Sequence, residues 1–318
     1  LQALINASGG HYIKSQVPGP LGCPVLASWG VMGDGKTAVI EMAKASGLAL
    51  MPQWELNPRS ASTIGTGLLI KEALDKGYRN IIVGLGGSAT NDGGAGAAKA
   101  LGAVFLDNSG SELPLGGASL SNLSSIDISG IHPALKTSNI IIATDVNNLL
   151  CGPNGASVIY GPQKGASPPI VAELDAALEN YQRIIKEALG IDLQKYPGAG
   201  SAGGLGAGLI AFANAKVRSG IELVSEILGL EELLNGASLV ITAEGRIDRS
   251  TVYNKAPIGV ARMAKRFGVP VIAMTAVLGE GYELVHEHGI DAVVSISDGP
   301  MDTQESINRT YSLLSRAT

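Results

Sequence analysis

Aromatic side chains are scarce: eight tyrosines, three phenylalanines and two tryptophans, in a chain whose apolar content is 45%. A core of that kind must be filled with Ala, Val, Ile and Leu, as in sheets covered by helices, so the composition reads as α/β. Cysteine is nearly absent, and Cys23 and Cys151 have no CxxC spacing. That excludes a disulfide scaffold, leaves no thiolate metal motif, and gives a cytoplasmic location as the expectation. There is no excess of positive charge either. With a net charge of −5 and scattered Lys and Arg, no basic stripe exists to neutralise a phosphate backbone, and nucleic acid is not an expected partner. Long apolar runs are missing too. Stretches such as PVIAMTAVLG reach only half of the roughly 20 residues that a spanning helix needs, so no membrane association is expected.

Glycine, by contrast, is abundant, with 43 residues gathered in clusters where apolar runs end. Clustered glycine at such places suggests ligand loops. At 318 residues the chain exceeds the usual size of one hydrophobic core, so two domains or one large α/β unit are expected.

Residues 17 to 42 alternate turn residues with β-rich runs that meet at Gly33-Asp34-Gly35-Lys36, the pattern of a hairpin. TGLLIKEALDKGYRN predicts a helix, IIVGL a strand, and the sequence GLGGSATNDGGAG (84 to 96) a loop leading into the helix GAGAAKALGA. A short strand VFLD and the strand NIIIATDV follow, then an amphipathic surface helix from Pro168 to Leu189. A second glycine cluster, PGAGSAGGLGAG, opens the apolar helix LIAFANAKV. In the last hundred residues SLVITAEG, PVIAMTAVLG and DAVVSIS alternate with helical stretches, as in a parallel Rossmann-like sheet.

Two nucleotide motifs are present as patterns only. GVMGDGKT (30 to 37) satisfies G-x-x-x-x-G-K-[ST], but Asp34 would aim a negative charge into the phosphate cradle. TAVIEM after Lys36 also has the alternation of a strand rather than a helix. Gly84, Gly86 and Ala89, with Asp107 further on, mimic a dinucleotide fingerprint. Against it, Gly93, Gly94 and Gly96 would fall in the first turns of the helix that must bind the pyrophosphate. A longer loop fits better, whose free amides, with the Ser88 and Thr90 hydroxyls and the Asn91 side-chain amide, surround a compact anion such as phosphate or carboxylate. Charged residues near other strand ends complete the inventory: Asp145 in ATDVNN, Lys164 in GPQKG, and Glu244, Arg246 and Asp248 in TAEGRID. Such positions bind ligands in α/β sheets, and carboxylates for Mg²⁺ beside cations for phosphate are the equipment of phosphoryl transfer. The histidines have no ligand spacing and are expected at the surface.

The blocks GLGGSATNDGGAG, ATDVNNLLCGPNGA with YGPQKGA, PGAGSAGGLGAG, TAEGRIDRSTVYNKAPIGVA and ISDGPM, in that order, resemble the signature of the bacterial glycerate kinase family over essentially the whole chain. The resemblance implies phosphorylation of D-glycerate by ATP with Mg²⁺, giving 2-phosphoglycerate. It implies two α/β domains with the active site in the cleft between them. One is a discontinuous Rossmann-like domain (1–10 and 225–318) with its first strands absent, and the second α/β domain (11–224) is inserted into it. The chain is expected to lack the family's leading segment. The expected catalytic residues are Asp145, Asp248, Lys164 and Arg246, with Asp145 and Asp248 also as metal ligands. Gly86, Gly87, Ser88, Thr90, Asn91, Asp92, Gly93, Glu244 and Lys255 are expected to bind substrate and phosphate. Ala243, Asn147 and Asn254 depart from the family's usual Gly, Asp and Gly. The alternatives are an NAD-dependent dehydrogenase and a truncated, non-catalytic binder of glycerate or another anion.

Overall fold

A computed structural model describes residues 2–253 and 255–318. The chain divides into two compact units, the first ending at Arg218 and the second running Ser219–Thr318.

Unit 1 opens with α1 (Gln2–Ser8), whose Leu4 and Ile5 are buried, followed by β1 (His11–Pro18), β2 (Pro24–Val31) and β3 (Thr37–Glu41). β1, β2 and β3 pair antiparallel. The β2–β3 turn answers the P-loop pattern: Asp34 accepts from the amides of Lys36 and Thr37 at 2.8 and 2.9 Å, so the loop's own carboxylate occupies the donors. No helix starts at Lys36; the next residue begins a strand.

After a short helical turn, α2 (Ala43–Ser46), come α3 (Ile64–Asp75), β4 (Asn80–Gly84) and α4 (Ala95–Ala100). β5 (Val104–Leu106) and β6 (Ser125–Asp127) form a separate antiparallel pair, and β7 (Asn139–Ala143) returns to the main sheet. Then follow α5 (Ala156–Tyr160), α6 (Pro168–Leu189), α7 (Ser201–Ala213) and β8 (Lys216–Arg218). The main sheet runs β1-β2-β3-β4-β7-β8, with β3, β4, β7 and β8 parallel. Their carboxyl ends therefore share one edge, from which the loops after β4 and β7 emerge.

The few aromatic residues concentrate inside this unit. Phe105 meets Phe212 edge-on at 5.6 Å and Tyr181 at 6.1 Å, while buried Trp29 stacks edge-on against Tyr78 at 5.8 Å. α6 turns Leu174, Leu178, Tyr181 and Ile185 inward, the stripe that its periodicity predicts.

Unit 2 comprises α8 (Gly220–Ile227), α9 (Leu230–Leu234), β9 (Val240–Ile247), α10 (Ala256–Arg266), β10 (Val271–Leu278), β11 (Ala292–Ser295) and α11 (Thr303–Ala317). Its sheet is parallel in the order β11-β10-β9. The segment joining β10 to β11 is a 3-10 helix, Tyr282–His288, rather than an α-helix. β9 continues past the expected strand SLVITAEG through Arg246 to Ile247, so Arg246 as well as Glu244 stands on the strand.

Candidate active site

The loop after β4 is held by the second glycine cluster. The Gly93 amide donates to the Gly203 carbonyl at 3.0 Å. A Cβ on Gly203 would lie 1.9 Å from the Thr90 carbonyl oxygen, and one on Gly94 would lie 3.0 Å from the Gly208 Cα. Bare backbone thus meets bare backbone, which only glycine permits at this distance. To make the fit, α7 bends through Ala202, Gly203 and Gly204, all left-handed with φ of 55°, 69° and 88°.

The polar residues of the loop face inward. Thr90, Asn91 and Asp92 are fully buried. The Asp92 carboxylate accepts from the Thr63 amide at 2.8 Å and hydroxyl at 2.9 Å, and from the amides of Gly94 and Gly96 at 3.1 and 3.2 Å. Burial pushes its pKa up against those hydrogen bonds. Asn91 Nδ2 donates to Ser157 Oγ at 2.8 Å. Lys164 is buried, and its Nζ donates to the Thr90 carbonyl at 2.7 Å. Desolvation lowers its pKa to about 7, partly opposed by Asp92. The anion cradle expected over residues 86 to 94 is therefore narrower. The amides of Ala89, Gly93, Gly94 and Gly96 are engaged within the fold, while those of Gly86, Gly87 and Ser88 have no hydrogen-bond partner among the described residues.

Those three residues line a cleft of about 330 Å³ at the carboxyl ends of β4 and β7, together with Thr144, Asp145, Tyr160, Gln163 and Ala202. Asp145 is exposed. Gly86 has open space where a Cβ would stand, so close packing does not demand glycine there. Thr144, Tyr160, Gln163 and Ala202 carried no sequence signal. Ala202 is detectable only from its left-handed backbone, a costly conformation for a residue other than glycine.

The dinucleotide pattern does not fit this geometry. Gly93 and Gly94 adopt positive φ before α4, which begins only at Ala95. β5, just before Asp107, pairs with β6 outside the parallel sheet. Asp107 itself closes a turn onto Ser109 and Ser111.

In unit 2, Glu244, Arg246, Asp248 and Lys255 gather around the end of β9. Lys255 pairs with Glu244 at 3.2 Å, and Arg246 Nε donates to Asp248 Oδ2 at 2.9 Å. Asp248 Oδ1 also accepts from the Ser250 amide and hydroxyl, closing a capping box with Thr251. These bonds, led by Ser250 and Arg246, lower the Asp248 pKa to about 2. Among the described residues, no three His, Cys, Asp or Glu side chains converge as a metal cage.

Parallel strands whose carboxyl ends carry an amide-lined cleft in one unit and a cluster of paired charges in the other define an α/β protein. The chain matches the glycerate kinase family over residues 1–318. It is 50% identical over 318 residues to a glycerate 2-kinase of Escherichia coli (strain K12), covering 100% of this chain and 84% of that protein. It is 50% identical over 317 residues to a glycerate kinase of Halalkalibacterium halodurans, covering 100% of this chain and 83% of that one. A crystal structure provisionally described as glycerate kinase 2 from Salmonella typhimurium LT2 superposes with a TM-score of 0.83 at 45% identity, covering 97% of this chain and 80% of that one. The chain belongs to the glycerate kinase family and is a kinase.

Proposed function

We propose that the protein transfers the γ-phosphoryl group of ATP to D-glycerate and forms 2-phosphoglycerate. The observation that carries this reading is the unit 1 cleft, where the unpaired amides of Gly86, Gly87 and Ser88 share a small space with Asp145. Amides that line so small a cleft suit a carboxylate. In a cleft this small, the hydroxyl that reaches Asp145 is the one on the carbon next to the carboxylate, and this favours the 2-position. Asp145 then accepts the hydroxyl proton or coordinates the metal. Lys164 acts through Thr90, holding the loop in shape, rather than by touching substrate.

Lys255 and Arg246 serve the phosphates, with Glu244 and Asp248 fixing their positions. Mg²⁺ usually takes one or two carboxylates and completes its shell with water and phosphate oxygens. Asp145 and Asp248 are the carboxylates that would hold it, Asp248 through oxygens that also accept from Ser250 and Arg246. The ion, when bound, neutralises charge on the transferred group.

The test is a coupled assay of ATP consumption with D-glycerate and MgCl₂, with the product assigned by phosphorus NMR. Glycerate-dependent formation of 2-phosphoglycerate is expected. Formation of 3-phosphoglycerate would overturn the regiochemistry. Binding of glycerate without turnover would leave only an anion-binding protein.

A further inference from the structure

We infer that a second cavity, contained wholly in unit 2, binds the nucleoside half of the phosphoryl donor; this rests on the kinase reading above. The cavity measures about 620 Å³ and lies at the carboxyl ends of β9 and β10, closed on one side by α11. Its walls are mainly apolar, with Met274, Ala276, Val277, Ile296, Pro300 and Ile307 among them.

The glycines carry the argument. Three glycines combine an ordinary φ with open space where a Cβ would stand: Gly86, Gly245 and Gly299. Gly86 lines the cleft of unit 1, and the other two both line this cavity. At most other glycines either a left-handed backbone or a neighbouring atom explains the missing side chain. At Gly245 and Gly299 neither does, although a mid-strand glycine such as Gly245 weakens its strand. What their absent side chains keep clear is the cavity itself.

The ISDGPM block, which the cleft in unit 1 does not use, builds the other wall. Ile296, Ser297, Gly299, Pro300 and Met301 face the cavity. Asp298 points away from that role and holds α11 instead, accepting on Oδ2 from Arg309 Nη2 at 2.6 Å and Arg316 Nη2 at 2.5 Å. The α11 wall is therefore held in place by a doubly paired carboxylate.

Size and chemistry select the occupant. Ligand pockets of roughly 300–1,000 Å³ bury drug-sized molecules, and a three-carbon acid would leave most of this one empty. Apolar walls penalise a desolvated carboxylate but suit a planar heteroaromatic base, whose faces are apolar and whose edges meet the hydroxyls of Thr275, Ser306 and Thr310. Glu244 lines the cavity and pairs with Lys255, which places the cationic end of β9 at its border. A nucleotide is the ligand with an apolar plane at one end and anionic charge at the other.

The test is fluorescence titration of the full chain with mant-ADP, without glycerate, for the unsubstituted protein, Gly245→Leu and Ile307→Asp. Gly245→Leu grows into space that no protein atom occupies, and Ile307 is exposed enough for the second variant to fold. Both should weaken mant-ADP by about tenfold or more with unchanged circular dichroism, while calorimetric glycerate affinity stays within about twofold. Unchanged mant-ADP affinity in both variants would overturn the inference, as would displacement of mant-ADP by glycerate but not by ATP. The two readings fail differently. An unsubstituted chain that binds mant-ADP, loses it in both variants and never phosphorylates glycerate refutes the function but not the cavity. An active chain whose ATP KM is untouched by either substitution refutes the cavity alone.

Discussion

Lys164 Nζ donates to the carbonyl oxygen of Thr90 at 2.7 Å, with both residues buried beneath the glycine loop. The folded-state pKa of about 7 lies below the ordinary 10.5, so between those values the unfolded chain holds more protons and stability rises with pH. Below pH 7 both states carry the charge and its cost is constant. The urea midpoint of the protein should climb from about pH 7 to 9, and that of Lys164→Met should climb less. Equal slopes would show that Lys164 keeps its proton in the fold.

Gly203 and Gly86 should respond oppositely to a methyl group. Gly203→Ala forces a Cβ into the Thr90 carbonyl at a positive φ and should cost about 3 kcal/mol or more in chemical denaturation. Gly86→Ala meets nothing, so stability should stay within about 0.5 kcal/mol while the glycerate KM rises. An unchanged KM would mean that substrate does not approach Gly86.

Asp92 is the hub of the loop, and Asp92→Asn replaces one acceptor oxygen with a donor facing the amides of Thr63, Gly94 and Gly96. The expected loss is about 2–4 kcal/mol, measured by urea unfolding. A stable, inactive Asp92→Asn protein would instead place Asp92 in the chemistry.

The two strand-end aspartates should separate by pH. Asp145→Asn should lower kcat by about 10² or more at unchanged melting temperature, as expected for a lost general base or metal ligand. Asp248, with its pKa lowered to about 2 from 3.8, contributes stability that is fully present above pH 3.8 and lost as pH falls through 2. Acid unfolding of Asp248→Asn should therefore be shallower than that of the parent protein. Superimposable acid curves would show that the cap and Arg246 do not favour the ionised form.

The hairpin around Asp34 was legible because a P-loop and a β-turn make opposite demands on the residues after Lys36, and TAVIE meets only those of a strand. The alternation of strands and helices in the last hundred residues likewise announced the parallel sheet of unit 2. The purpose of the glycine clusters was not legible. Each satisfied the signature of a ligand loop taken singly, and nothing local shows that Gly93 and Gly94 fit against Gly203 and Gly208. Lys164 misled for a related reason: a lysine between turn residues suggests a free cation, and only the folded chain buries it. Pairing between β9 and β10, extending to Val277 opposite Arg246, turned an expected loop into strand.

Thr90 and Ala202 are 112 positions apart, and this separation gives the cleft a history as well as a shape. During synthesis the loop after β4 leaves the ribosome long before the segment that must clasp it, and until α7 arrives only earlier residues such as Ser46 and Thr63 hold it. Such distant closures are slow steps in folding, because chain entropy is lost before the contacts form. The anion cleft therefore matures only when unit 1 closes as a whole. Nascent or half-folded chains would not retain its ligand, so ligand capture during refolding would report completion of the entire unit.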